Sequence, residues 1–312
     1  MLFKSAIAHH RDCHRLRMNS LEPTPFGQKA RSFVRWASPR LPSTVLSAMP
    51  SLRHSCFARL LAFGLALTSP LAAQTTWYWI GVSGSTWSYD VETWNSLPTS
   101  TPFPFEFTAG GHAVFSVENV TADQSTQVSG QVDAASITIQ SSNVTISSGE
   151  LTSVDEISVG AGLTGTFNTV LSGSQSITKT GAGTLLLRSN STFTGGITIS
   201  AGTLTIGNND LTGSIVSDVV NNSTFIFNRS GDYTFNQVIS GTGDFVHDGY
   251  ILRFNEAQTY TGSTTVKSGG YLVLASDVDQ GLSASTVVQL ESGSYFDFSN
   301  HSTTLAGLTG SG

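Results

Sequence analysis

From about residue 130 to the end of the chain, apolar and polar side chains alternate in short runs. Ser136-Ile137-Thr138-Ile139, Asn143-Val144-Thr145-Ile146 and Glu156-Ile157-Ser158-Val159 are followed by Gly196-Ile197-Thr198-Ile199, Thr203-Leu204-Thr205-Ile206 and Thr224-Phe225-Ile226-Phe227. A period of two with β-branched residues predicts strands that bury one face, and the Ser-Gly, Gly-Ala-Gly and Asn-Asn breaks between them predict turns. No window carries apolar residues at i, i+3, i+4 and i+7 over several turns, so no long helix is expected. The class is all-β.

Alternation alone fits a sandwich, an up-and-down barrel or a solenoid. Recurrence of whole segments separates them. Gly181-Ala182-Gly183-Thr184-Leu185-Leu186-Leu187 leads to Thr192-Phe193-Thr194-Gly195-Gly196 and closes at Ala201-Gly202-Thr203-Leu204-Thr205-Ile206-Gly207. Farther on, Gly241-Thr242-Gly243-Asp244-Phe245 leads to Thr259-Tyr260-Thr261-Gly262-Ser263, with the same punctuation and looser side chains. Repeated units of this kind stack so that each buries its apolar face on its neighbours. The expected architecture is a right-handed parallel β-helix, and at roughly 20–25 residues per coil residues 131–312 supply about eight coils. Stacked about 4.8 Å apart, they make a rod of about 40 Å.

The first 130 residues have a different texture. Trp77, Trp79, Trp87 and Trp94 crowd together with Tyr78 and Tyr89 before a loop holding Pro98, Pro102 and Pro104. Residues 74–130 are expected to cap the solenoid, the rings burying apolar area that the first coil would otherwise expose. A second reading makes Trp77, Trp79 and Trp87 an exposed carbohydrate-binding platform, because aromatic faces stack on sugar rings.

Charge divides the chain further. Residues 1–73 hold 10 of the 15 lysines and arginines and 2 of the 21 acids, leaving 5 basic against 19 acidic side chains and a net charge of −14 in residues 74–312. Arg53 and Arg59 precede the short apolar run Leu60 to Leu67, and Leu71-Ala72-Ala73 follows. That is the layout of a secretory signal peptide over 49–73, and the run is too short to span a bilayer. Residues 1–48, Arg- and Pro-containing and without periodicity, read as a start assigned too far upstream, with a transit peptide as the alternative. Both cysteines, Cys13 and Cys56, fall before residue 74. An exported chain starting there has no disulfides to use and relies on backbone ladders.

With the two copies written out, the repeat resembles the autotransporter-associated β-strand repeat, also called the passenger-associated transport repeat. Gly181 to Gly207 follows the family pattern nearly throughout, with Ser191-Thr192-Phe193 where Asn-Thr-Tyr is usual. The second copy departs at Ser263, and an extra Gly270 shifts Tyr271-Leu272-Val273-Leu274 by one. The resemblance covers 177–312 well and 74–130 weakly. It implies a β-helical passenger exported to the surface of a Gram-negative-type bacterium, and it implies no particular chemistry. Autotransporters end in a translocator barrel that these residues do not supply, so the chain reads as a fragment or as a secreted protein using the repeat alone.

Candidate chemistry is sparse. A β-helical polysaccharide lyase needs a base near acidic groups, and residues 74–312 offer only Lys179, Arg188, Arg229, Arg253 and Lys267, expected at solvated or turn-capping positions. A glycosidase needs two carboxylates about 5–10 Å apart. Its candidates are Asp155 with Glu156, Asp244 with Asp248, and Asp277 with Asp279, the last also a weak calcium candidate. His112, His247 and His301 lie far apart in sequence and no nucleophile elbow accompanies them. Asn119, Asn143, Asn190, Asn222 and Asn300 begin Asn-x-Ser/Thr triplets that a Ser- and Thr-rich chain contains by chance. The strongly negative body disfavours nucleic acid. The expectation is a structural surface protein with an adhesive or matrix role, without catalytic, cofactor or metal residues. Its partners would be host or matrix glycans or proteins, and its barrel or anchor would lie outside this chain. The alternatives are a carbohydrate-active β-helix enzyme and a carbohydrate-binding module built on the tryptophans.

Overall fold

A computed structural model describes residues 75–80, 84–89, 94–95, 107–116, 122–275, 281–299 and 302–312. The signal peptide and upstream extension expected over 1–73 lie outside them, as do Asp277, Asp279, Asn300 and His301. Among the described residues there are 24 strands and no helix, hence no helix long and apolar enough to cross a membrane, which says nothing of a β-barrel.

The strands stack in three parallel ladders. The first runs from Thr76–Trp79 through Gly111–Phe115, Glu156–Val159, Ile177–Thr180 and Ile197–Ile199 to Val219–Asn221 and Ile239–Ser240. The second climbs from Ser85–Trp87 and Gln124–Val128 through Thr184–Leu187, Thr224–Arg229 and Asp244–His247 to Val287–Leu290 and Gly307–Gly310. The third includes Tyr233–Phe235, Ile251–Phe254, Tyr271–Leu274 and Tyr295–Asp297. The chain visits each ladder once per coil and returns in register about 20 residues later, as in Ile137 on Ile157 and Leu187 on Ile206. The result is a β-solenoid of about nine turns, which at about 4.8 Å per step is about 43 Å long.

Its core is a set of inward columns. The second ladder stacks Phe167, Leu187, Ile206, Phe227, His247 and Val266 on one another, and beside them Leu185, Leu204, Phe225 and Phe245. All but one of these ten side chains are hydrocarbon, and all are at most 1% exposed. Each buried Leu, Ile or Phe contributes roughly 1.5–3 kcal/mol of transfer free energy. Thr, Ser and other polar residues alternate outward, which is why the sequence pattern has period two.

The ladders do not begin at residue 131. Trp77 pairs with Ala113 in parallel, and Ala113 with Ile137, so the aromatic segment expected to cap the solenoid forms the first rungs among the described residues. What sets it apart is one antiparallel pair, Thr76–Trp79 with Trp94–Asn95, and its filling of large rings. The side-chain spacing changes there while the backbone stacking continues.

Candidate functional site

The three rings nominated as a sugar platform point into the molecule. Trp79 and Trp87 are 1% and 0% exposed and Trp77 is 8% exposed. Trp79 meets Trp94 edge to face at 5.1 Å and 72°, and Trp87 meets Phe107 at 5.2 Å and 77°; Phe115 packs against the same group. The Trp77 indole donates to Thr108 Oγ1 at 3.0 Å. A stacking platform needs exposed ring faces, and these rings are buried. Hydrophobic burial wins because Trp94, Phe107 and Phe115 give these large rings apolar surface to pack on.

The expected acid pairs are separated by their structural tasks. Glu156 Oε1 accepts from Thr180 Oγ1 at 2.6 Å, one coil on. Asp244 Oδ1 accepts from the backbone N and the Oγ of Ser263, and Asp248 Oδ2 accepts from Asn228 Nδ2 at 3.1 Å. Each carboxylate caps or bridges a neighbouring coil.

The basic residues behave similarly, and one departs from expectation. Arg188 bonds Asp210 at 2.8 Å, and the Thr212 hydroxyl first, then Arg188, hold the Asp210 pKa down at about 2. Arg229 donates to the Gly213 and Leu211 carbonyls and lies 4.6 Å from the centre of the Tyr233 ring. Lys267 pairs with Glu291 at 2.7 Å, an interaction that raises the lysine pKa and lowers the glutamate's. Arg188, Asp248, Lys267 and Glu291 each follow directly on a second-ladder strand, and Asn228 lies next to last in another, so one corner of the rod carries a polar seam that sequence spacing did not reveal.

Lys179 is neither solvated nor at the surface. It is fully buried in the inward column Ile137, Ile157, Lys179, Ile199, Asn221. Its Nζ donates to the carbonyls of Thr180, Gly181 and Ala201 at 2.8, 2.8 and 3.0 Å, which satisfies all three ammonium hydrogens at the coil corner. Burial pulls its pKa down to about 8. The signal was present in the sequence: the copy Ile177-Thr178-Lys179 is followed one coil later by Ile197-Thr198-Ile199, so Lys179 occupies an inward position. His247 likewise replaces an apolar residue in a column. Its Nε2 lies 3.2 Å from the Tyr250 carbonyl, its Nδ1 has no partner, and burial lowers its pKa. His112 Nδ1 meets Ser136 Oγ at 2.5 Å between adjacent outward rungs. Among the described residues no three His, Cys, Asp or Glu side chains gather as a metal site.

The regular parts of this geometry repeat. Thr192 and Phe193 both donate their N–H to the Leu171 carbonyl, and Thr194 to that of Gly173; Thr259 and Tyr260 do the same to Ile239, and Thr261 to Gly241. Both aromatic side chains are buried, Phe193 at 1% and Tyr260 at 0%. A family profile described as the passenger-associated-transport-repeat matches residues 177–206 and 251–274. Those two stretches are passenger-associated transport repeats.

The chain is also similar to a named relative. The adhesin BmaC autotransporter of Brucella suis biovar 1 (strain 1330) is 38% identical over 81 residues, which are 26% of this chain and 2% of that protein. The chain therefore spans a very small part of the relative's length. No solved structure matches this chain.

Proposed function

We propose that this protein is an exported, surface-displayed passenger of a Gram-negative-type bacterium that works by presenting the sides of a rigid β-solenoid for adhesion or matrix contact. The observation that carries the reading is the pair of passenger-associated transport repeats built into the ladders, supported by the similarity to a segment of an autotransporter adhesin. The side chains considered for chemistry fit a structural purpose: the carboxylates cap turns, and the basic groups bond carbonyls or acids of neighbouring coils. A solenoid with these groups so engaged offers shape and surface, which supports a structural reading over an enzymatic one.

Export is tested with the full chain carrying an epitope tag at an exposed turn, expressed in a Gram-negative host. The reading expects processing near residue 73 and a tag reached by antibody or protease in the medium or on intact cells. Retention of unprocessed chain in the cytoplasm would overturn it.

A further inference from the structure

The basic side chains of the solenoid hold its coils together, with one exception. Lys179, Arg188, Arg229 and Lys267 each donate hydrogen bonds of 3.0 Å or less. Arg253 donates none. Its Nη2 lies 3.8 Å from Asp232 Oδ2, the two side chains are 42% and 58% exposed, and among the described residues neither makes a hydrogen bond. Tyr250 is in the same condition among the rings. It is 55% exposed, and among the described residues neither its hydroxyl nor its ring has a partner. Its backbone is fixed between two coils, the N–H donating to the Arg229 carbonyl and the carbonyl accepting from the Tyr271 N–H. Ser230 and Gly231 stand beside it on the preceding coil and Gly270 on the following one, where Ile251 pairs with Tyr271. Glycine neighbours leave the ring open although described coils lie on both sides of it. A Cβ at Gly231 would lie 2.6 Å from Leu211 Cδ2, so Leu211, 68% exposed, reaches over that glycine and extends the apolar surface.

The open ring and the loose ion pair adjoin. Tyr233 pairs with Leu252, which sets Asp232 beside Ile251, one coil earlier and one residue along from Tyr250, with about 6 Å between their Cα positions. We propose that Tyr250, Asp232 and Arg253 form a binding site for a neutral glycan. One sugar ring lays its C–H face on Tyr250, a hydroxyl at its edge donates to the Asp232 carboxylate, and a neighbouring hydroxyl accepts from the Arg253 guanidinium. The 3.8 Å between those two groups puts both within reach of the same ring. A sugar suits the site because it joins an apolar face to a rim of hydroxyls that both donate and accept. Neutrality follows from charge: carboxylate and guanidinium cancel locally, while the net charge of −14 in residues 74–312 repels a polyanion. This inference rests on the surface-passenger reading for its biological setting, and its binding test does not depend on export.

The test is affinity electrophoresis of the purified full chain through gels containing galactomannan, mixed-linkage β-glucan or dextran, with heparin as the polyanion. At least one neutral polysaccharide is expected to retard the chain and heparin not to. Tyr250→Ala and the near-isosteric Asp232→Asn remove side chains that hold no structural bond, and each is expected to weaken that retardation about tenfold at unchanged circular dichroism. Tyr295→Ala, which truncates an exposed ring two coils away, should leave it unchanged. Retardation by heparin, retardation by none of the three neutral polysaccharides, equal retardation of wild type and either site variant, or an equal loss in Tyr295→Ala would each overturn the proposal. Surface display without glycan binding leaves the passenger reading intact and removes this one; binding by a chain that is not exported does the reverse.

Discussion

Residues 177–206 and 251–274 match the same repeat, and the solenoid uses them on different faces. In the earlier copy Ile197–Ile199 lies in the first ladder and the strand starting at Thr203 in the second; in the later copy Thr264–Val266 lies in the second and Tyr271–Leu274 in the third. Phe193 and Tyr260 are 67 residues apart, three coils of about 20 plus one face. The repeat is thus a strand–turn–strand unit that can start on any side, and its phase decides which side chains meet solvent. In the earlier phase the outward side chains are mainly Thr and Leu; in the later one they include Arg253 and Tyr271. The same difference of phase leaves the inward rules untouched, since both copies bury the turn aromatic and the strand aliphatics.

If the copies are equivalent units, damaging the same position in each should do the same harm. The largest effect belongs to the turn aromatics: Phe193→Ala and Tyr260→Ala should each cost about 3–5 kcal/mol in urea unfolding. Tyr260→Phe should cost only about 1 kcal/mol, the bond of its hydroxyl to Thr264. Unequal losses at Phe193 and Tyr260 would show that the shared profile hides different packing. Gly195 and Gly262 form a second matched pair, because a Cβ on either would lie 2.3 or 2.2 Å from backbone atoms of the preceding coil. Alanine at each should destabilise by a few kcal/mol through the forced separation of coils, and thermal melts of the two variants should coincide.

Smaller effects sharpen where the copies differ. Lys179→Met leaves three partly buried carbonyls without their donor and should cost about 1–3 kcal/mol at neutral pH. The folded pKa of about 8 lies below the free value of 10.5, so between these pH values the unfolded chain binds the extra proton. Stability of the wild type therefore gains a rising component across pH 8–10.5 that Lys179→Met lacks, measurable by parallel melts. His247, also held below its free value of 6.5, contributes the same sign at lower pH. Its share of stability falls as pH drops below about 6.5, and His247→Phe should remove that acid slope. Smallest is Arg188→Gln, which breaks a half-exposed ion pair and should cost less than about 1 kcal/mol.

Much of the fold was legible because a buried column needs an apolar residue every second position, and the runs at 136–139, 203–206 and 224–227 show that directly. The coil corners were legible from glycine. What the alternation could not show was phase, since two copies with identical punctuation look alike whichever face they start on. It favoured burial of Trp77, Trp79 and Trp87 over a sugar platform without separating the two, because a ring that caps a coil and a ring that awaits a sugar have the same sequence signature. The burial of Lys179 was hidden for a related reason. Side-chain type suggested a solvated or turn-capping position, and the ammonium does cap a coil corner, but register, which places Lys179 between Ile157 and Ile199, buries the side chain.

Phase can be measured by cysteine cross-linking in a chain whose Cys13 and Cys56 are replaced by serine. Thr265 stands beside Val246 in the second ladder, within the span a disulfide bridges. If the later copy shared the phase of the earlier one, Thr265 would occupy the place of Thr198 and stack instead on Ser240 of the first ladder. With the second-ladder register, Val246→Cys with Thr265→Cys oxidises readily to the intramolecular disulfide and Ser240→Cys with Thr265→Cys does not. Rapid closure of the second pair in place of the first would contradict it.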